Sequence, residues 1–424
     1  MKKQFFKRFL LLAAFIAIVS QEMFSQNWVE MMQDPDAQFE ETVAAFEKWW
    51  GNRDVKNTKG TGYKQFQRWR HFMESRVSED GRQSGQLRTL VEFHDYYRGK
   101  NLNNRSSAVT AQWSEVGPVN LPFNGTGQPN GVGRVSAIAF HPTETNTILV
   151  GSPAGGFIES NDYGNTWTNK SNALTRLGVS SIVVHPTNTN TIFIGTGDRD
   201  GGDAPGRGVW RSTDGGDNWH QWNSGMGNRT VYEILMHPGN PDIMIASANG
   251  RIYRTIDGGA NWTATYSGVE NFKDIAFKPG DPNIIYASSN DYFRSTDNGS
   301  SWTQITSGVP TGSSRIAIAV SPDNPEYVYL FAGTNSSFKG LYRSTNSGFS
   351  FTQRSNSPNI LGYDTNGGSG SQAWYDLVAL GDPNDVNHII VGAINLWESF
   401  DGGTTWSIVS HWVGSGGNPA VHAD

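Results

Sequence analysis

From Trp113 onward the apolar positions come in short runs, each closed by proline, glycine or a polar cluster, which is the pattern of strands rather than helices. The most regular runs are Val135–Phe140 before His141-Pro142, Val179–Val184 before His185-Pro186 and Val231–Met236 before His237-Pro238. Phe272–Phe277 before Lys278-Pro279, Arg315–Val320 before Ser321-Pro322 and Trp374–Leu380 before Gly381-Asp382-Pro383 continue the series. Each is followed by a polar turn, a second apolar run, a third that stops at a Ser/Thr-x-Asp-x-Gly-x-x-Trp corner, and a fourth after the aromatic. In the first unit the later runs are Thr147–Gly151, Gly156–Ser160 and Thr166–Asn169. The corner acids are Asp162, Asp214, Asp257, Asp297, Asn346 and Asp401, at intervals of 40 to 55 residues. Four strands per period of that length predict an all-β chain, a β-propeller of four-stranded blades with six corner-bearing blades visible. Residues 419–424 read as the opening of a seventh first strand, so the propeller of residues 111–424 is expected to be truncated at its C-terminus.

The first quarter has a different period. Phe39, Val43, Phe46 and Trp50 are spaced by four, three and four, one face of a helix. Tyr63, Phe66, Trp69, Phe72 and Met73 line one side of a second helix, and Leu87 to Tyr97 predicts a third. Residues 26–110 are therefore expected to form a small helical segment closed by a polar linker at 101–110. Ahead of it, Lys2, Lys3, Lys7 and Arg8 precede the apolar run Phe9–Val19, which is too short to span a bilayer and has the order of a secretory signal peptide over residues 1–25. A secreted or cell-surface protein is expected, with no integral membrane span after cleavage.

Each part of the corner has a mechanical use. An Asp at the start of a tight turn accepts backbone N–H groups ahead of it, and the glycine takes a positive φ at little cost. The tryptophan supplies a large rigid ring, expected to fill space beside the next unit. At the fifth corner Asn346 and Phe351 keep an amide acceptor and an aromatic filler, the tolerance of a structural corner. The skeleton resembles the Asp-box, or bacterial neuraminidase repeat, of sialidases, sortilin-type receptors and several glycoside hydrolase families. The resemblance implies a propeller with the box between the third and fourth strand of each blade, on the face away from the usual ligand site. From Trp113 to Asp424 the whole pattern is similar to secreted bacterial proteins carrying sortilin-type, glycoside-hydrolase-like Asp-box propellers.

Composition narrows the classes. There are 49 glycines and no cysteine in 424 residues, which suits many tight corners and excludes thiolate metal sites, cysteine nucleophiles and disulfides. An exported chain without cysteine leans bacterial. The net charge of −6 becomes more acidic without the basic leader, which argues against nucleic acid as partner. No cofactor and no metal is implied. His141, His185 and His237 occupy equivalent places before proline, but Lys278 and Ser321 replace them in sister units, so they read as turn residues.

The chemistry is expected on the face opposite the corners. Two long loops reach it: 195–208, carrying Asp198, Arg199, Asp200, Asp203 and Arg207, and 359–372, which feeds Trp374, Tyr375 and Asp376. At matching places on the first strands stand Ala137, Ser181, Glu233, Asp274, Ala317 and Asp376, so three acids are expected to approach one axis. His422 and Asp424, two apart on a strand, would share a face and could join them. The leading expectation is a propeller that binds an extracellular polysaccharide or protein with Asp203, Arg207, Trp374, Tyr375, His422 and Asp424. The alternative is a glycoside hydrolase, sialidase-like or xyloglucanase-like, using paired carboxylates among Asp198, Asp203, Glu233, Asp274 and Asp376.

Overall fold

The structure, a computed structural model, describes residues 27–34, 36–51, 62–78, 80–83, 134–171, 174, 178–268, 271–414 and 417–420. The leader, the Leu87–Tyr97 stretch, the linker, the Trp113 strand, His422 and Asp424 lie outside the described residues. The chain divides into two compact units, one holding the described residues up to 83 and the other those from 134.

The first unit contains α1 (Asn27–Gln33), α2 (Phe39–Trp50) and α3 (Tyr63–Glu74). The predicted stripe of α2 is buried, and on α3 Phe66, Trp69 and Met73 are buried with it. Phe46 and Phe66 stack with ring centroids 3.6 Å apart, and Trp28 of α1 meets both edge-on. Phe72 departs from expectation. It lies on the solvent side, where the Arg76 guanidinium covers its ring at 3.9 Å.

The second unit is a propeller of six blades, each a four-stranded antiparallel meander in chain order. The first strands are Ala137–Phe140, Val179–Val184, Val231–Met236, Asp274–Lys278, Arg315–Val320 and Val378–Gly381. They alternate in the manner of any strand, one face toward the preceding blade and one toward the following. Ile182, Ile234, Ile275 and Ile318 thus enter cores shared with the blade before, while Val183 and Leu235 enter those shared with the blade after. The sixth blade differs from its predicted start. Residues 373–376 form a short helix, α4 (Ala373–Asp376), and the strand runs Val378–Gly381, with Gly381 paired to Ile389 as Phe140 is to Ile148, so Asp376 lies seven residues before Pro383 where Glu233 and Asp274 lie five before their prolines. Asp376 therefore does not share the strand position of Glu233 and Asp274; Val378 does.

All six corners join third to fourth strands. In the second blade Ser212 Oγ accepts the Gly216 N–H at 2.8 Å and donates to Asp214 Oδ1. The Asp214 carboxylate then accepts the backbone N–H and the side-chain amide of Asn218 at 2.9 and 2.7 Å. The same bonds recur at Asp162, Asp257, Asp297 and Asp401; at Asn346 the amide oxygen accepts the Ser350 N–H, and the amide nitrogen donates to the Ser350 hydroxyl, reversing the side-chain bond. The turn needs two successive left-handed residues, the glycine and the one before it, and at the latter Tyr163, Asn298 and Ser347 accept φ of 56–60°. The indoles reach backward, not forward as expected. Nε1 of Trp219, Trp262, Trp302 and Trp406 donates to Lys170, Trp222, Thr265 and Ser355 of the preceding blade.

These corners make the fold acid-sensitive. The hydrogen bonds from Asn218 hold the Asp214 carboxyl at about 2, below the 3.8 of a free Asp. Burial pushes the Asp401 carboxyl up, but hydrogen bonds from Thr405 and Ser399 outweigh it, again giving about 2. A depressed folded pKa supplies stability above 3.8 that is lost as pH falls toward 2. The melting temperature is expected to drop most steeply between pH 4 and 2, and Asp214→Asn, which copies the fifth corner, to flatten that slope. Calorimetry across the interval checks it; an equally steep drop in the variant would assign the acid lability elsewhere.

Candidate functional site

Chain direction puts the starts of the first strands, the loops between second and third strands and the connections between blades at the end of the propeller opposite the corners. Ionisable side chains from five of the six blades meet there. Asp200, on the 195–208 loop, is the hub: one oxygen accepts Lys273 Nζ at 3.2 Å and an Arg315 guanidinium nitrogen at 3.1 Å, the other accepts Arg199 Nε at 3.1 Å. Lys273 and Arg315 stand at the starts of the fourth and fifth first strands, and both also donate to α4, to the carbonyls of Trp374 and Tyr375 at 3.0 and 2.9 Å. Burial pushes the Asp200 carboxyl up, but the charges of Lys273, Arg315 and Arg199 overcome this and hold it well below the usual carboxylate range. Burial brings the Lys273 ammonium down to about 8, with Asp200 opposing.

Asp198 serves its own loop. It has no exposed surface; one oxygen accepts the N–H groups of Asp200 and Gly201, the other that of Asp203 and the Arg134 guanidinium. Arg134 also donates to the Tyr375 hydroxyl, tying the approach to the first blade to the helix before the sixth. A carboxylate so occupied fits loop organisation better than proton transfer.

Glu233 and Asp274, on the first strands of the third and fourth blades, place two buried carboxyls side by side. Glu233 Oε2 accepts the Ile275 N–H at 2.9 Å, capping the inner edge of the next blade as Ser181 Oγ caps Ile234. That bond brings its carboxyl beside Asp274. Burial pushes Glu233 up to about 7, and the neighbouring Asp274 adds to the rise. Burial likewise raises Asp274, whose Oδ2 finds no hydrogen-bond partner among the described residues. Trp374 Nε1 is buried without a hydrogen-bond partner as well, and its ring lies 5.2 Å from that of Tyr375.

The remaining predicted residues fall apart. Asp203 is exposed on the loop and gives its backbone N–H to Asp198. Arg207 is buried, its guanidinium over the Trp210 ring at 5.9 Å. His141, His185 and His237 each fold Nδ1 onto turn amides, at 3.0 Å for Glu144 and Asn188 and 3.1 Å for Gly239. Sequence reasoning passed over Arg134, Lys273 and Arg315, whose shared signal was a cation at or just before the start of a first strand.

Residues 207–293, which run from the third strand of the second blade through the third strand of the fourth, match the family model described as sortilin, neurotensin receptor 3. The structure superimposes on an ancestral GH74 enzyme with a TM-score of 0.52, at 21% identity over 67% of this chain and 40% of that one. The fold is a sortilin-type, glycoside-hydrolase-like propeller. A second structure of this kind, the GH74 xyloglucanase from Xanthomonas campestris, aligns at a TM-score of 0.50 and 18% identity, over 65% of this chain and 45% of that one. The propeller chain thus spans less than half the length of either enzyme. No curated protein sequence matches it. Among the described residues no helix of this propeller chain is long and apolar enough to cross a membrane.

Proposed function

We propose that this propeller is an exported binding module that holds an extracellular glycan chain against Trp374, Tyr375, Glu233 and Asp274, on the end opposite the corners, without turning it over. The observation that carries this is the way the site spends its charge. Asp200 is neutralised by three cations and Asp198 by its loop and Arg134, while Asp274 Oδ2 and Trp374 Nε1 are an acceptor and a donor there with no hydrogen-bond partner among the described residues. Aromatic faces beside a few convergent polar atoms suit a sugar ring, whose hydroxyls give and take hydrogen bonds around apolar C–H faces. An extended peptide is the other ligand that such a rim could take.

A second reading, glycoside hydrolysis, is favoured by one observation. Glu233 holds its proton to about pH 7 beside a second carboxyl, as a general acid paired with a base requires. Binding of an immobilised oligosaccharide panel, headed by xyloglucan fragments because one propeller of this fold is a xyloglucanase, tests the first reading, and reducing-end release from the same panel tests the second. Retention that falls at least about ten-fold in Asp274→Ala, with no release, is expected. Release abolished by Glu233→Gln would establish the enzyme instead, and equal retention by wild type and Asp274→Ala would remove the site.

The pair also predicts a pH dependence. Glu233 has its folded pKa raised from 4.5 to about 7, so its stabilising contribution is complete below 4.5 and lost as pH rises through 7. Between pH 4.5 and 7.5 the wild type is expected to lose roughly 3 kcal/mol from this group. Glu233→Gln, which keeps the acceptor for Ile275, should flatten that decline. Urea titrations at the two pH values measure it; parallel losses would show that Glu233 is ionised throughout.

A further inference from the structure

The aromatic surface at the end opposite the corners does not stop at α4. The connection between blades five and six, residues 356–377, is more than twice as long as any sister connection, and it carries a ring, Tyr363, that the core does not take in. Ile360 and Leu361 just before it are buried in the core shared by the two blades, whereas Tyr363 is half-buried. Its neighbour is Trp412, also half-buried, which follows the fourth strand of blade six; the two rings meet edge to face with centroids 5.9 Å apart. Repetition shows that the fold does not demand this indole. Six residues past the corner aromatic, where blade six has Trp412, the sister blades have Ala173, Gly225, Gly268, Gly308 and Ser357.

Polar groups around the two rings hold them in place. The Tyr363 carbonyl accepts Trp412 Nε1 at 3.2 Å and His411 Nε2 at 2.9 Å, and the Val413 N–H on His411 Nδ1 fixes the imidazole proton on Nε2. Buried Asn395 clamps both segments, donating to the Gly362 carbonyl and accepting the Trp412 N–H, each at 3.0 Å. Gln372 joins this pair to the first one. Its Nε2 donates to the Tyr363 hydroxyl at 3.4 Å, and its carbonyl accepts the Tyr375 N–H at 2.7 Å. Rings fixed in this way lose little freedom when a ligand covers them.

We infer that Tyr363 and Trp412 form a second sugar subsite beside Trp374 and Tyr375, so that the glycan is gripped at two places and selected for length. The inference rests on the glycan-binding reading above and adds the class of ligand: a linear oligosaccharide long enough to lay an apolar C–H face on each aromatic pair. Once one part of the chain is held at the first pair, the second pair meets the rest as part of the same molecule. Its effective concentration is then high, and affinity rises with chain length.

The experiment titrates xyloglucan fragments of one, two and three repeating units into the chain by calorimetry, with the same lengths of any panel oligosaccharide that is retained better. Affinity is expected to rise about ten-fold or more from one unit to three. Tyr363→Leu, which leaves the backbone carbonyl to Trp412 and His411, should remove that rise, and Trp412→Leu should do the same. Trp412→Phe, which keeps a stacking face, should restore most of it. Affinity independent of length in the wild type, or a rise that survives both leucine variants, would overturn the inference while leaving Asp274-dependent binding, and so the reading beneath it, intact. An equal loss at every length would also overturn it, by making the pair a support for Trp374 and Tyr375. Failure to bind fragments of any length, or binding that Asp274→Ala leaves untouched, would instead remove the reading and the inference together.

Discussion

Asp200→Ala is expected to destabilise the propeller by about 3–5 kcal/mol and to abolish ligand retention. The carboxylate is the common counter-ion of Lys273, Arg315 and Arg199, with side chains only 4–20% exposed, and its removal leaves three desolvated cations facing one another. Lys273 already has its proton affinity reduced by burial, so it is the group that gives up charge first in the variant. Asp200→Asn should recover part of the loss, because an amide oxygen still accepts one of the donors although the charge is gone. Urea midpoints for the two variants measure the effect. A shift below about 1 kcal/mol for Asp200→Ala would mean that the cluster is solvated and contributes as a surface network does.

The second large effect is structural. Gly308, after the fourth strand of blade four, has φ +71°, and a Cβ there would lie 1.9 Å from the Phe351 carbonyl oxygen and 2.7 Å from its carbon. Both obstacles are backbone, and the Phe351 N–H is held at 3.0 Å by Ser307, so neither side can give way. Gly308→Ala is expected to cost about 3 kcal/mol or more and to loosen the junction of blades four and five. Gly280 is the internal control: its φ is +78° but nothing lies within 4 Å of the added carbon, so Gly280→Ala should cost only about 1 kcal/mol. Thermal melts of the pair compare them. Equal costs would show that the backbone angle alone, not the close approach of neighbouring blades, sets the penalty.

What the sequence disclosed follows from how local each feature is. The corners were legible because their hydrogen bonds run within eight residues, from Ser212 to Asn218 and its copies. Their second left-handed position was hidden, since Tyr163, Asn298 and Ser347 fill it in half the blades. The direction of the indoles depends on how blades stack, which no single repeat encodes. Glu233 and Asp274 were found by strand register alone. Asp376 was misplaced because it stands seven residues before Pro383, in a short helix, whereas Glu233 and Asp274 stand five before their prolines, the place that Val378 takes. Asp200, Lys273 and Arg315 are separated by 73 and 42 positions along the chain, and only the closing of the blades around an axis brings them within 3.2 Å.

The division between a supporting rim and a ligand-holding rim is tested most directly by calorimetric titration of the best-retained oligosaccharide into Asp257→Ala and Asp274→Ala, well below their melting temperatures. The corner variant is expected to melt earlier yet bind within about two-fold of wild type, while Asp274→Ala melts near wild type and binds at least ten-fold more weakly. A ten-fold loss in Asp257→Ala with undiminished affinity in Asp274→Ala would place the ligand at the corners and contradict the account.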